Sequence, residues 1–308
     1  MSKLLITGGA GFIGSNLVDT LIDKGHEVTV IDNLSSGKKE NVNKKATFFE
    51  VDITDKDSLR GVFEKFSPEA IFHLAAQVSV RVSCEKPAED VKTNVIGTIN
   101  LLELAVQNKV KKFIFSSTGG AIYGDGVDRP TIEEAKEDPV SPYGINKLSS
   151  EKFISFFAKS SSLQTVCLRY ANVYGKRQDP HGEAGAVAIF AGLMLKGKPV
   201  TIYGSGEQTR DFVYVSDVVE ANLAALDSDQ SDTYNVGTGI ETNINDIANL
   251  MKEITKSTGE IKHATGKPGE QLNSALSFAK IKENLGFEPK TKLQEGLEET
   301  VNYFEQTS

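Results

Sequence analysis

Two residues at the start of one predicted helix could move a proton together. Tyr143 and Lys147 stand four positions apart, so both lie on one face of that helix. A tyrosine has an ordinary pKa of about 10, which is too high for a base at neutral pH. A neighbouring lysine, together with a positively charged cofactor ring, would lower that pKa and make Tyr143 a proton acceptor. The alternative is an ordinary Tyr–Lys pair on a helix surface, and the spacing alone does not distinguish it from a catalytic pair.

A strand, a glycine-rich turn and a helix open the chain and could hold a phosphate-bearing cofactor. An apolar run at 3–6 predicts a buried strand, and Gly8, Gly11 and Gly14 follow it at spacings of three. Gly8 permits the tight turn, Gly11 lets the backbone approach a pyrophosphate, and Gly14 lets the helix pack near the strand. The N–H groups at the start of the helix would bind the phosphates. The stretch therefore predicts a dinucleotide site.

An acidic residue ends the second predicted strand. Asp32 lies eighteen residues after Gly14, where a carboxylate can accept hydrogen bonds from the ribose hydroxyls of an adenosine. The same charge would repel a 2′-phosphate, which favours NAD over NADP. Lys38 and Lys39 lie close in sequence and leave that preference open.

Two further strand ends could line the cofactor. After the third strand, Asp52 could reach the adenine amino group with Ile53 against the ring, or Asp52 could cap the following helix. After the fourth strand, the small residues Ala75 and Ala76 leave room for a cofactor. His73, inside that strand, is expected to be structural.

Strands and helices alternate, which predicts an α/β fold with a Rossmann-type doubly wound parallel sheet. The predicted strands are 3–6, 27–31, 47–51, 70–74, 110–115, 164–170 and 233–236, and the long helices are 89–108 and 143–159. Loops lengthen beyond residue 172. We therefore expect an NAD-binding domain over 1–172, with about 200–236 returning to it. A smaller C-terminal α/β substrate lobe is expected over about 173–199 and 237–308.

Composition excludes several classes of function. The net charge of −8 argues against nonspecific nucleic-acid binding. No run of apolar residues is long enough to span a membrane, and no cleavable leader is apparent. Cys84 and Cys167 lie in different elements and suggest no disulfide, and the four histidines show no metal-ligand spacing. These features lead us to expect a cytoplasmic protein without a metal site.

Together, the motifs resemble those of extended short-chain dehydrogenases/reductases, and within that group the UDP-glucose (UDP-galactose) 4-epimerase family. The resemblance covers nearly the whole chain. It implies that Tyr143 and Lys147 are the catalytic pair and that the strand end at Ser116, Ser117 and Thr118 supplies a catalytic hydroxyl. The following segment is one residue longer than in many epimerases, which leaves Ser117 and Thr118 both open. Thr118 is preferred, with Ser117 lining the nicotinamide.

The resemblance also implies which residues hold each ligand. NAD would contact Gly8, Gly11, Phe12, Ile13, Gly14, Asp32, Asn33, Asp52, Ile53, Leu74, Ala75, Ala76, Asn94, Ser116, Tyr143 and Lys147. A UDP-sugar substrate would contact Thr118, Tyr143, Asn172, Tyr203, Arg210, Lys267, Glu270 and Ser274.

Several substrate residues have distinct implied roles. Arg210 would bind the diphosphate bidentately, the alternative being a surface ion pair with Asp211. Lys267 replaces a second arginine of the family, and Glu270 matches an acid directed at the nucleotide ribose. Ser274 stands where hexose-restricted epimerases carry a gating tyrosine, so an N-acetylated sugar should also fit.

The implied reaction is NAD-dependent C4 epimerisation of a UDP-hexose through a 4-keto intermediate, in a homodimer formed by the helices 89–108 and 143–159. One alternative is a nucleotide-sugar 4,6-dehydratase or decarboxylase. Dehydratases carry an Asp-Glu pair after the strand-end threonine, where this chain has Gly119 and Gly120. A non-catalytic NAD-binding protein of the same fold is another alternative, against which the intact Tyr143, Lys147 and Thr118 argue.

Overall fold

The computed structural model describes residues 1–181, 185–266 and 271–307. Its strands are β1 Lys3–Thr7, β2 Glu27–Asp32, β3 Thr47–Glu50, β4 Ala70–His73, β5 Lys112–Thr118, β6 Gln164–Tyr170, β7 Asn172–Tyr174, β8 Val200–Tyr203, β9 Thr209–Arg210, β10 Phe212–Tyr214, β11 Asp232–Val236, β12 Thr242–Asn243 and β13 Ile261–Ala264. Its α-helices are α1 Phe12–Asp23, α2 Lys56–Phe66, α3 Val80–Glu85, α4 Pro87–Val91, α5 Gly97–Gln107, α6 Gly119–Ile122, α7 Pro142–Ser160, α8 Ala186–Met194, α9 Val215–Asp227, α10 Ile244–Thr255, α11 Ala279–Leu285 and α12 Leu293–Thr307. A short 3-10 helix, Lys39–Asn41, and a π-helical segment, Lys92–Ile96, lie between them.

Seven strands form the central sheet, in the order β11-β6-β5-β4-β1-β2-β3. Strand β1 pairs in parallel with both β2 and β4, and Thr7 lies opposite Ile31 on one side and His73 on the other. The chain order therefore reverses between β1 and β4. Ligands of doubly wound sheets bind outside the carboxyl ends of the strands at such a reversal. The predicted Rossmann-type sheet is confirmed, and so is the returning strand at 233–236.

The central strands are buried on both faces, which explains why they are continuous apolar runs in sequence. Leu4, Leu5 and Ile6 of β1 have no exposed surface. On one face, Phe63 of α2 and Leu101 of α5 belong to the same apolar core cluster. This packing of helices on the sheet fixes the carboxyl ends of the strands, which the predicted cofactor residues follow.

Helix α2 begins after an aspartate cap. The carboxylate of Asp55 accepts a hydrogen bond from Ser58 N at 3.1 Å. Asp52 lies farther upstream and accepts from Thr54 N at 2.8 Å instead. The alternative that Asp52 caps this helix is therefore wrong.

The long helix predicted over 89–108 is helical from residue 87 to residue 107, but its middle turn is π-helical. The hydroxyls of Thr98 and Ser150 both donate to the backbone oxygen of Asn94, at 2.6 and 2.8 Å. A side chain that inserts into the ladder of helical hydrogen bonds interrupts the regular helix there. The sequence pattern could not show this interruption, because Ser150 belongs to α7.

By compactness, the chain divides into two units. The first contains residues 1–122, 139–169 and 219–234, and the second contains 123–138, 170–218 and 235–308. The predicted domains place 123–138 and 200–218 with the first unit, whereas backbone pairing groups both with the second. Thr131 forms a bridge with Leu276, and β8 pairs with β13.

Three small sheets organise the second unit. They pair β7 with β10, β8 with β13 and β9 with β12. Helices α8, α10 and α12 contribute buried apolar residues such as Val187, Ile247 and Leu297. Within the described ranges, no helix combines the length and apolar character that crossing a bilayer requires.

Candidate active site

The glycine turn packs against neighbouring backbone at distances that leave no room for side chains. Gly8 adopts a left-handed φ of +72°, and a Cβ there would lie 2.6 Å from Ala75 N. A Cβ on Gly14 would overlap the carbonyl oxygen of Gly8. Leu74, Ala75 and Ala76, which follow β4, are half-buried beside this turn. The tight turn at Gly8 and the close packing at Gly14, both expected from the glycine spacing, are therefore present.

Helix α1 begins at Phe12, with Gly11 as its N-cap. No side chain caps this end. The first N–H groups of an α-helix have no partner within the helix. Those of Phe12, Ile13 and Gly14 are therefore available to an anionic ligand, and the helix dipole favours negative charge there.

The Asp32 carboxylate binds the backbone of the glycine turn and can still accept hydrogen bonds from a ligand. Its carboxylate accepts from Ala10 N at 3.0 Å and from Leu34 N at 2.9 Å. A carboxylate has about four lone-pair sites, so two remain for hydroxyl donors. The loop that follows is tied to the same turn, because Lys38 N donates to Ala10 O at 3.0 Å.

The residues that follow β2 and β3 differ in how far they are exposed. The exposed Asn33 donates to Asp52 Oδ2 at 2.9 Å, which fixes the half-buried Asp52 carboxylate. Ile53 is only 5 % exposed and belongs to the apolar core. Asp52 is therefore the more accessible of the two residues predicted to meet an adenine ring.

Helix α7 places Tyr143 and Lys147 as its periodicity predicts. Ser141 caps the helix by accepting from Gly144 N at 3.2 Å, and Tyr143 N donates to Ser83 Oγ at 3.1 Å. The Lys147 ammonium donates to the backbone oxygen of Ser116 at 2.8 Å and lies 4.7 Å from the centre of the Phe115 ring. These contacts fasten the start of α7 to the end of β5.

The two functional groups respond differently to burial. Burial lowers the pKa of Lys147 to about 8, against the opposing charges of Asp90 and Glu151. Burial raises the pKa of the Tyr143 phenol, and the negative charge of Asp90 raises it further, whereas a hydrogen bond with Thr118 lowers it. The protein's own groups therefore do not produce the lowered tyrosine pKa expected from the sequence. A further positive charge beside Tyr143 is needed for that.

The structure separates the two hydroxyls that the sequence leaves open. Ser117 is buried, and its Oγ donates to Glu151 Oε1 at 2.5 Å. Glu151 is itself paired with the buried Arg169, whose Nη2 lies 2.5 Å from Oε2. Thr118 is half-buried, and its side chain lowers the pKa of the Tyr143 phenol. The hydroxyl of Ser117 is thus engaged by Glu151, whereas Thr118 acts on the phenol.

Sequence reasoning missed two acidic residues beside the pair. Glu151 lies four positions beyond Lys147 on the same helix face, which is a signal the sequence carries. Asp90 has no exposed surface and accepts from Gln77 Nε2 at 2.6 Å and from Asn146 Nδ2 at 2.5 Å. Because these partners lie far apart in the chain, nothing in the sequence marks Asp90.

Asn94 and His73 are held by protein partners. Asn94 Oδ1 accepts from Gln77 N at 2.9 Å, and its Nδ2 donates to Gln77 O and to Asp90 Oδ1. His73 bridges Thr7 and Thr98 at 2.7 and 2.9 Å, and burial lowers its pKa to about 3. His73 is thus structural, as predicted, and Asn94 positions the segment after β4.

Within the second unit, Asn172 and Arg210 lie on small paired strands. Asn172 begins β7, and its N–H donates to Asp211 O at 2.8 Å. The Arg210 guanidinium donates to Thr209 O at 2.7 Å. Asp211 is fully buried and accepts from Thr238 N at 2.9 Å. Its burial excludes the surface ion pair that was the alternative role of Arg210.

The remaining predicted substrate residues differ in access. Tyr203 ends β8 and is exposed, whereas Ser274 is buried. The segment around Ser274 is anchored, because Ser277 N donates to Thr131 O at 2.8 Å and Thr131 N donates to Ala275 O at the same distance. The predicted ligands Lys267 and Glu270 lie outside the described residues.

A doubly wound sheet with an uncapped, glycine-lined helix start at its order reversal defines the class of dinucleotide-binding α/β proteins. The chain belongs to the NAD dependent epimerase/dehydratase family, whose model matches residues 4–237.

Its similarity to individual members extends over the full length. It is 43% identical to a putative UDP-glucose 4-epimerase of Methanocaldococcus jannaschii, over 97% of each chain. It is 52% identical to the UDP-glucose 4-epimerase of Thermotoga maritima solved with UDP-glucose, with a TM-score of 0.97 over 99% of each chain. It is 45% identical to the Thermus thermophilus UDP-glucose 4-epimerase solved with NAD, with a TM-score of 0.95 over 99% of each chain.

Proposed function

We propose that this protein is an NAD-dependent epimerase that interconverts UDP-glucose and UDP-galactose by inverting C4 through a 4-keto intermediate. The observation that carries the proposal is the placement of Tyr143 and Lys147 at the start of α7, which the hydrogen bond from Lys147 Nζ to Ser116 O at 2.8 Å fastens to the end of β5 beside Thr118. The names of its full-length relatives support the same reaction.

The glycine turn fits NAD because its backbone leaves a cradle that side chains would fill. The first-turn N–H groups of α1 would hold the pyrophosphate, and the two unused lone pairs of Asp32 would accept the ribose hydroxyls. Asp52, Ala75, Ala76 and the other predicted cofactor residues would line the remainder. When bound, NAD supplies a hydride acceptor that returns the hydride within the same cycle.

Tyr143 is the residue that takes the proton from the sugar 4′-hydroxyl and later returns it. Thr118, whose side chain lowers the pKa of the phenol, would hold the sugar oxygen beside it. Lys147 supplies positive charge from the same helix face. Ser117 has a supporting role, because its hydroxyl is engaged by Glu151.

The second unit would hold the UDP-sugar. Arg210 would pair with the diphosphate, Asn172 and Tyr203 would contact the diphosphate-sugar and the uridine, and Lys267 and Glu270 would add contacts to phosphate and ribose. Ser274 has no ring with which to close on the sugar's C2 substituent. Acceptance of UDP-N-acetylglucosamine and UDP-N-acetylgalactosamine is therefore part of the proposal.

Assembly as a homodimer is also part of the proposal. The helical segment 87–107 and α7 carry exposed large apolar side chains, namely Val91, Ile96, Ile145, Phe153 and Phe156. Contiguous exposed apolar residues of this kind commonly mark an interface between chains. A cytoplasmic location fits the free cysteines Cys84 and Cys167.

Dehydration is a less suitable reaction for this site. The residues after Thr118 are Gly119 and Gly120, which open helix α6 and carry no acid. A 4,6-elimination needs an acid and a base near C5 and C6 of the sugar, and this position provides neither.

The test is incubation of the purified protein with UDP-galactose and, separately, with UDP-N-acetylgalactosamine, followed by separation of the products. We expect conversion to the C4 epimers without a continuous supply of NADPH. Tyr143→Phe keeps the ring and removes the proton-accepting oxygen, so it should lower kcat by roughly a hundred- to ten-thousand-fold. A wild-type protein that converts no UDP-sugar, or a Tyr143→Phe variant that retains a tenth of the rate, would contradict the proposal.

A further inference from the structure

A buried carboxylate lies beside the catalytic pair and has no role in the reaction as described above. Asp90 is fully buried, and its three hydrogen-bond donors are the neutral amides of Gln77, Asn94 and Asn146, at 2.6, 3.0 and 2.5 Å. Neutral donors satisfy the lone pairs without cancelling the charge. Burying a charge costs free energy unless an opposite charge offsets it. A buried carboxylate at this position therefore calls for a functional explanation.

The hydrogen bonds join three parts of the candidate site through this one residue. Gln77 follows the strand end that lines the cofactor cradle, and Asn94 lies in the π-helical segment. Asn146 stands between Tyr143 and Lys147 on α7. A π-helical segment inside an α-helix is frequently found at functional sites. Through Asn146, Asp90 is thus tied to the turn of α7 that carries the catalytic pair.

The other titratable groups around the pair are neutral or already balanced. Glu151 is paired with Arg169 at 2.5 Å. Burial lowers the pKa of His73 to about 3 and raises the pKa of the Cys167 thiol, so both are uncharged near neutral pH.

The other charged residues on the neighbouring elements are exposed or already paired. Between residues 80 and 96, every charged side chain except that of Asp90 is exposed, namely Arg81, Glu85, Lys86, Glu89 and Lys92. Glu103 of α5 pairs with Lys56, and Lys112 of β5 donates to the carbonyl oxygens at the end of α9. Asp90 is therefore the buried charge that raises the pKa of Tyr143, and its side-chain hydrogen-bond donors are neutral amides.

We propose that Asp90 is a positioning residue that makes the proton on Tyr143 depend on the charge of the cofactor. Its negative charge disfavours the phenolate, so Tyr143 gives up its proton only when a further positive charge, as oxidised NAD carries, lies beside it. Tyr143 is then a base only in the state that can also accept a hydride, and it keeps its proton for return to the sugar afterwards. This inference rests on the proposed function.

Asp90→Asn tests the inference, because it removes the charge and keeps the shape. The pH at which Tyr143 ionises is read from the ultraviolet difference spectrum of the NAD-loaded protein, with Tyr143→Phe in each background as the blank. We expect the midpoint of Asp90→Asn to lie about one pH unit below that of the wild type. The acid limb of kcat against pH should move by the same amount, with KM within a few-fold. A merely structural role would lower kcat equally at every pH.

Two variants serve as controls. Glu89→Gln removes the same charge from an exposed residue of the same helix and should leave the midpoint unchanged. The double variant Asp90→Asn with Asn146→Asp exchanges donor and acceptor, so it keeps both the hydrogen bond and the buried charge. Its midpoint should equal or exceed that of the wild type. If Asp90→Asn alone does not fold, the midpoint of this double variant still tests the inference.

Three results would overturn the inference: an Asp90→Asn midpoint that stays in place or rises, a Glu89→Gln shift of equal size, or a double-variant midpoint below that of the wild type. The titration needs bound NAD but no sugar. A protein that turned over no UDP-sugar would therefore refute the proposed function and leave this test intact.

Discussion

The two adjacent hydroxyls of β5 offer the sharpest test of how this site is built. Successive side chains of a strand point to opposite faces, so Ser117 and Thr118 meet different partners. Ser117 reaches the buried Glu151, and Thr118 reaches Tyr143. Ser117→Ala and Thr118→Val each remove one hydroxyl with little change in volume. We expect the first to affect stability and the second to affect catalysis.

The magnitudes follow from the partners that remain. After Ser117→Ala, Glu151 still accepts from Arg169 Nε at 3.0 Å and from Nη2 at 2.5 Å, so its charge is not left unpaired. The loss of one hydrogen bond to a charged group should lower the free energy of unfolding by about 1.5–3 kcal/mol and change kcat by no more than a few-fold. Thr118→Val removes a hydroxyl that would stabilise the charge developing on the phenol and the sugar oxygen, and should lower kcat by roughly a hundred- to a thousand-fold.

The assays are initial rates with saturating UDP-galactose, and urea unfolding at one fixed NAD concentration, because bound cofactor adds to apparent stability. Thr118→Ser restores the hydroxyl and should recover most of the rate. The reasoning is refuted if Ser117→Ala loses a hundredfold in kcat with unchanged stability. It is equally refuted if Thr118→Val keeps a third of the wild-type rate.

Three further predictions concern the catalytic lysine, the choice of sugar and the dimer. Because burial lowers the pKa of Lys147 to about 8, kcat should fall as the pH rises through that value. A rate–pH profile that stays flat up to the ordinary lysine pKa of about 10.4 would contradict this. Ser274→Tyr should lower kcat/KM for N-acetylated UDP-sugars selectively, and an equal loss on UDP-glucose would show that residue 274 is not the gate. Phe156→Glu places a charge on an exposed apolar side chain of α7 and should yield monomers in sedimentation velocity, whereas an unchanged mass would count against this dimer face.

Features that depend on neighbouring residues could be predicted from the sequence. The glycine spacing predicted the tight turn at Gly8 and the close packing of the helix at Gly14, because a side chain at Gly14 would overlap the carbonyl oxygen of Gly8. Helical periodicity placed Tyr143 and Lys147 on one face of α7, and the apolar runs predicted the strands of the central sheet. These are local properties, since each follows from a few consecutive residues and their steric limits.

Features that depend on residues distant in the chain were decided by the tertiary structure alone. The choice between Ser117 and Thr118 depends on Glu151, which lies on another element. Asp90 acquires its place from amides that come from three separate segments. The pKa of Tyr143 rises because burial and the charge of Asp90 act together, and neither can be read from the residues beside it. The sequence specifies which chemical groups are present and on which face of an element they stand. Their charge states and partners depend on burial and long-range packing, which exist only once the chain has folded.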